Sequence, residues 1–279
     1  MPKFDFEGNQ LDYTEFGSGP KVVVLLHGQL LNQKMQFPLA EAIADRGHRV
    51  ITLDLLGHGA SDKPNDMWRY SMTQFGDQVV ALLDHVGAEQ AVIGGVSLGA
   101  NVALEVAANA PDRVRGMLIE MPVLDHGILA AVLIFTPLMV TLEFALPLVK
   151  LAAWPLRMLP RWGVPSLLEI GLDAITQDHT ASSALMQGLV FGRTAPHRAI
   201  RRTLTQPTLV LGHPRDPLHP FADADMLVSE LPNARLLEAD SIAELRFRPA
   251  RLTPQIVDFV DACWKPQGVR AAARRRSAG

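Results

Sequence analysis

The segment Gly94-Gly95-Val96-Ser97-Leu98-Gly99 constrains this chain more than any other. It follows the apolar run Ala91 to Gly95 and precedes Asn101 to Ala110, where apolar residues recur at three- and four-residue spacing, so it joins a strand to a helix. A turn this sharp has no room for side chains at Gly95 and Gly99. It holds the intervening serine in a strained conformation, with its hydroxyl above the sheet at the positive end of the helix.

The chain around this turn alternates strand and helix patterns. Lys3 to Phe6 and Leu11 to Phe16 flank Gly8-Asn9 as a β-hairpin. Lys21 to Leu26 is a continuous β-branched and apolar run, as expected of a strand buried on both faces. Further strands read at Arg49 to Leu53, Ala91 to Gly95, Val114 to Ile119, Thr208 to Leu211 and Ala234 to Leu237. Helices read at Leu39 to Asp45, Thr73 to Val86, Asn101 to Ala110, Phe221 to Leu231 and Thr253 to Trp264. Such alternation implies an α/β fold, a mostly parallel doubly wound sheet. It breaks between 122 and 204, where the text is apolar, helical and punctuated by Pro137, Pro147, Pro155, Pro160 and Pro165. The expected organisation is a core of 1–121 and 205–279, an inserted helical cap of 122–204, and a basic, disordered tail over 266–279.

With 26 basic and 29 acidic residues the net charge is -3, which offers no general attraction to nucleic acid or anionic lipid. Ile128 to Leu142 carries no charge, but it is shorter than the roughly 20 residues of a spanning helix and contains Pro137, so membrane contact is not expected. The single cysteine, Cys263, can form no internal disulfide and suggests no metal site. Met1 to Asp5 lacks the pattern of a signal peptide, and a cytoplasmic setting is expected.

Several motifs in order give the chain a family resemblance. They are Glu15-Phe16-Gly17-Ser18-Gly19-Pro20, Leu26-His27-Gly28-Gln29, Asp54 to Asp62 (DLLGHGASD) and the Ser97 turn. Together they resemble an α/β-hydrolase of the capped, single-domain type, the Ser97 turn being its nucleophile elbow. That resemblance implies Ser97 as nucleophile, an oxyanion hole from the backbone N–H groups of Gln29 and Leu98, and no cofactor. His27 and His58 read as packed turn residues. Gly212-His213-Pro214-Arg215-Asp216-Pro217-Leu218-His219-Pro220 resembles the family's acid loop, with Asp216 as the triad acid and Glu120 in reserve.

The family's histidine should follow the last strand, yet Ile242 occupies its place and no histidine lies beyond His219. A serine hydroxyl needs an adjacent base. His219, three residues past Asp216, is the leading candidate, with His126 at the start of the insertion a second. Glu244 or Asp240 could serve as a carboxylate base, or could pair with Arg246 or Arg248; an absent base also stays open. The insertion is apolar enough either to line a pocket, with Phe135, Met139, Phe144 and Trp154 touching substrate, or to form a homodimer patch.

The first reading is therefore a serine hydrolase of esterase, lipase or lactonase type, transferring the acyl group of a small lipophilic ester or lactone to water. A hydrolase-fold ligand-binding protein without efficient turnover is the alternative, and a cofactor-free oxygenase ranks third. Serine at the elbow argues against the dehalogenase and epoxide-hydrolase branches, whose nucleophile is an aspartate.

Overall fold

The computed structural model describes residues 2–159, 164 and 166–265, with the backbone alone at 166 and 167. The tail of 266–279, together with Pro160 and Pro165, lies outside the described residues. Eight strands form one sheet: β1 (Lys3–Phe6), β2 (Asn9–Phe16), β3 (Val22–Leu26), β4 (Arg49–Leu53), β5 (Ala91–Val96), β6 (Val114–Glu120), β7 (Thr208–Gly212) and β8 (Ala234–Glu238). Their order is β1-β2-β4-β3-β5-β6-β7-β8. β1 and β2 pair antiparallel, as do β2 and β4, and every other pairing is parallel.

Helices α1 (Phe37–Ala44), α2 (Met72–His85) and α3 (Leu98–Asn109) link the first strands. Between β6 and β7 come α4 (Gly127–Phe144), α5 (Leu146–Arg157), α6 (Ser166–Thr176), α7 (His179–Val190) and the single turn α8 (Arg198–Arg201). α9 (Phe221–Glu230), α10 (Glu244–Phe247) and α11 (Leu252–Cys263) complete the described chain. Side chains alternate across each strand, so the sheet feeds two cores. Val24, Leu26 and Ile93 pack with α2, α3, α7 and α9, whereas Val23, Leu25 and Val92 pack with α1 and α11.

Two buried polar side chains anchor the insertion to the core. Asp223 of α9 is wholly buried and accepts the N–H groups of Leu124, His126 and Gly127 at 2.7, 2.9 and 2.8 Å, at the start of α4. A carboxylate there satisfies amides that the helix cannot, and complements its dipole. Asn101 of α3 donates to the carbonyls of Val123 and Thr194, both at 2.8 Å, and so joins the two ends of the insertion.

The parallel strands set the site. Leu26 lies level with Gly95, and Val96 with Glu120, so the segments that follow β3, β5 and β6 emerge along one edge. Ligand sites of open α/β sheets form at this carboxyl edge.

Candidate active site

Ser97 follows β5 directly and carries φ 53°, in the left-handed region that a side chain rarely adopts. α3 begins at Leu98 rather than at Asn101, because the elbow leaves no linker between strand and helix. A Cβ on Gly95 would lie 2.8 Å from Gly99 Cα, and one on Gly99 would lie 2.7 Å from Leu26 Cβ. Close approach of two strands and a helix therefore demands both glycines. The Ser97 N–H donates to the Glu120 carbonyl at 2.9 Å, and that of Gly99 to the His27 carbonyl at 3.1 Å, which fixes the strained turn.

His219 meets Ser97 from the loop between β7 and α9. Its Nε2 lies 2.9 Å from Ser97 Oγ, and its Nδ1 lies 2.9 Å from Asp216 Oδ2. An ionised carboxylate can only accept, so Nδ1 carries the proton and Nε2 is left to accept from the serine hydroxyl. The second oxygen, Asp216 Oδ1, accepts the backbone N–H groups of Leu218 and His219 at 2.9 and 3.0 Å. Burial works against the charge on Asp216, but the His219 ring and these amides outweigh it and hold the carboxyl below its usual range. Acid and base thus share one five-residue stretch, Asp216-Pro217-Leu218-His219-Pro220, whose prolines limit its freedom.

The other candidate bases are engaged elsewhere. His126 Nδ1 pairs with Asp223 at 2.9 Å rather than with Ser97. Glu244 is bound by Arg251 at 2.7 Å, as is Asp240 at 3.3 Å, so the expected pairing of either with Arg246 or Arg248 is corrected. Arg246 instead reaches Glu120 at 2.8 Å. Burial opposes the Glu120 charge, yet Arg246 and then His213 lower its carboxyl to about 2, leaving a fixed anion in place of a reserve acid. Ile242 is half exposed and lines the same small cavity as His219.

His27 and His58 are fully buried, and burial lowers both away from the charged form. His27 Nδ1 donates to the Gly28 carbonyl at 2.8 Å and Nε2 accepts the Leu55 N–H at 3.1 Å, so it ties the segment after β3 to the one after β4. The N–H groups of Gln29 and Leu98 have no acceptor among the described residues. Both residues border the same cavity as Ser97, which leaves two amides free for an incoming oxygen.

That cavity measures about 510 Å³, and a smaller one of about 240 Å³ adjoins Ser97 on the His219 side. Phe135 borders both. Met139, Phe144 and Trp154 border neither among the described residues, which corrects their expected role. Met139, partly buried, packs against the core, while Phe144 and Trp154 point outward. At 1.5 Å per residue, Phe144 lies about 14 Å along α4 from Phe135, beyond the reach of the site. The apolar walls come instead from Ile128, Ala131 and Val132 of α4 and Leu189 of α7, and the polar side of the cavity from Asp125, Arg193, His197, Arg198 and Arg201. Asn101 of α3 borders the cavity as well, a position that no motif in the sequence marks. Among the described residues no group of three or more His, Cys, Asp and Glu side chains is placed to hold a metal ion.

Comparison with known proteins agrees with this fold. Residues 21–202 match the model of the α/β-hydrolase fold family. The chain is 25% identical over 261 residues to 3-oxoadipate enol-lactonase 2 of Acinetobacter baylyi, covering 88% of this chain and 93% of that protein. It is 37% identical over 115 residues to epoxide hydrolase B of Mycobacterium tuberculosis, a match that spans 40% of this chain and only 31% of that enzyme. The crystal structure of the enol-lactonase from Burkholderia xenovorans LB400 superposes with a TM-score of 0.75 at 21% identity, covering 93% of this chain and all of that one (100%). The chain belongs to the α/β-hydrolase fold family. It is a hydrolase.

Proposed function

We propose that this protein is a serine hydrolase that cleaves a lipophilic carboxylic ester or lactone by acyl transfer to water. The observation that carries the reading is the 2.9 Å approach of His219 Nε2 to Ser97 Oγ, with Asp216 on the opposite ring nitrogen. Ser97 attacks the acyl carbon as His219 takes its proton, and the tetrahedral oxyanion sits between the Gln29 and Leu98 amides. His219, now an imidazolium steadied by Asp216, returns the proton to the leaving alkoxide. Water then repeats the sequence against the acyl-enzyme. The relocation of the base to the acid's own loop offsets the feature that favoured a binding protein, Ile242 at the usual histidine position.

The apolar side of the cavity supports a lipophilic substrate. Its walls of Ile128, Ala131, Val132, Phe135 and Leu189, set under a helical cap, suit an acyl chain or lactone ring better than a sugar. A series of p-nitrophenyl esters of increasing acyl length, assayed with wild type and Ser97→Ala, tests the reading. Turnover by the wild type, absent in the variant and peaking at an intermediate length, is expected. A folded wild type that turns over no ester or lactone would return the protein to the ligand-binding reading.

A further inference from the structure

The insertion turns an unusual face outward. α5 packs between α4 and α6, with α7 beneath α4 and α5. The outer sides of these helices carry Leu129, Leu133, Phe144, Leu148, Leu151 and Trp154, all exposed, and Phe144 reaches 83%. A solvated helix normally places charges there. α4 has 18 residues with Glu143 as its only charge, and Glu143 is held by Ser183 and Gln187 of α7 at 2.8 and 2.9 Å. On α6, Glu169 and Asp173 turn towards Lys34, leaving Leu168 outward. α4 cannot cross a bilayer in this fold, because Asp223 clamps its start and its Leu142 is buried in the core.

Among the described residues, the charges that remain on this face are cationic. On α5, Lys150 and Arg157 lie seven residues apart with Trp154 between them, on one stripe of the helix. The stripe beside it is Leu148, Leu151 and Met158. Neither cation has a carboxylate partner among the described residues; Arg157 donates only to the Thr176 and Gln177 carbonyls. An apolar stripe edged by Trp and by long basic side chains is the arrangement of a helix lying in a lipid interface, its cations reaching up to headgroups. A second copy is a poorer occupant. An isologous contact would set this face against its own image, with two cations per copy and no free acid among the described residues to meet them.

We propose that the outer face of α4, α5 and α6 docks on an anionic lipid surface, with α5 lying in the interface plane and Lys150 and Arg157 at the headgroups. This departs from the expectation drawn from the net charge of -3, because the sum over the chain conceals a local cationic, apolar face. The inner side of α4, at Ile128, Val132 and Phe135, walls the cavity above Ser97, so docking brings the site's apolar wall against the lipid. The docking itself does not depend on the identity of the catalytic base.

The test is cosedimentation of the full chain with phosphatidylcholine vesicles, with and without phosphatidylglycerol. Wild type is expected to pellet with the anionic vesicles and more weakly with the neutral ones. Lys150→Gln/Arg157→Gln should lower partitioning onto anionic vesicles roughly thirtyfold, from the usual worth of two interfacial cations. Leu148→Glu/Leu151→Glu should abolish it, and both variants should retain the wild-type circular dichroism and turnover of a soluble short ester. A folded wild type that stays in the supernatant overturns the proposal, as does equal binding to both vesicle types. A concentration-dependent dimer, dispersed by Leu148→Glu/Leu151→Glu and blind to vesicles, would assign the face to a second copy instead.

Discussion

Replacing Asp216 by asparagine separates the two tasks its carboxylate performs. Asparagine keeps one oxygen to accept the Leu218 and His219 amides, now held at 2.9 and 3.0 Å, so the loop should keep its shape. Its amide nitrogen then faces His219 Nδ1 as a donor. The ring proton moves to Nε2, which points a donor, not an acceptor, at the Ser97 hydroxyl. The same tautomer reversal in a serine protease triad lowers kcat about 10⁴-fold, close to 5 kcal/mol of barrier. Asp216→Asn should show a loss of that order in ester hydrolysis, with stability changed by less than about 1 kcal/mol. Asp216→Ala should lose similar activity and, in addition, the two amide bonds to a charged acceptor. In this partly solvated loop those are worth about 3 kcal/mol together, a fall of roughly 6 °C in Tm for a chain of this size. Stopped assays on the best p-nitrophenyl ester, paired with thermal melts, read both quantities. Asp216→Asn activity within tenfold of wild type would refute the role given to the acid, and equal melting of the two variants would refute the loop-pinning role.

Three further outcomes follow from the structure. Gly99→Ala places a Cβ 2.7 Å from Leu26 Cβ and 2.8 Å from the His27 carbonyl, where neither neighbour can yield, and should destabilise by at least about 3 kcal/mol in urea unfolding; near-wild-type stability would contradict the tight elbow. Glu120 is held below its ordinary 4.5 at about 2, so its ionised form stabilises the fold above the ordinary value and that contribution is lost as pH falls towards 2. Glu120→Gln should flatten the acid limb of the stability profile over that window, while costing about 2 kcal/mol at neutral pH by leaving the half-buried Arg246 without its anionic partner; an unchanged acid limb would contradict the pairing. Ala131→Trp fills the larger cavity, and excluding three methylenes should cut kcat/KM for long esters roughly fiftyfold while sparing short ones; an unaltered chain-length profile would place the acyl group elsewhere.

The centre of the sheet was legible because strands such as β3, β5 and β7 are buried on both faces. Val22 to Leu26 admits no helical reading, and each expected strand begins or ends within two residues of the observed one. Elbow and acid loop were legible from glycine, proline and aspartate in fixed order. The base was legible only as a candidate. His219 stands three positions after Asp216, but nothing in that spacing says that the loop carries the ring 2.9 Å from a serine 122 positions earlier. The insertion was the least legible part. α4 is apolar all round, so its composition signals burial without saying which side is buried, and Phe144 and Trp154 were assigned to the wrong side. The Glu120 and Arg246 pair escaped notice because its partners lie 126 residues apart.

The rate of fluorophosphonate labelling of purified His219→Ala, compared with wild type and with Ser97→Ala as the blank, tests the account most directly. Wild type should be labelled at Ser97 alone, and His219→Ala should react about 10³-fold more slowly or not at all, since among the described residues no other imidazole is in contact with the hydroxyl. Labelling of His219→Ala at the wild-type rate would show that the proton of Ser97 goes elsewhere, and that a histidine three residues past the acid is a bystander.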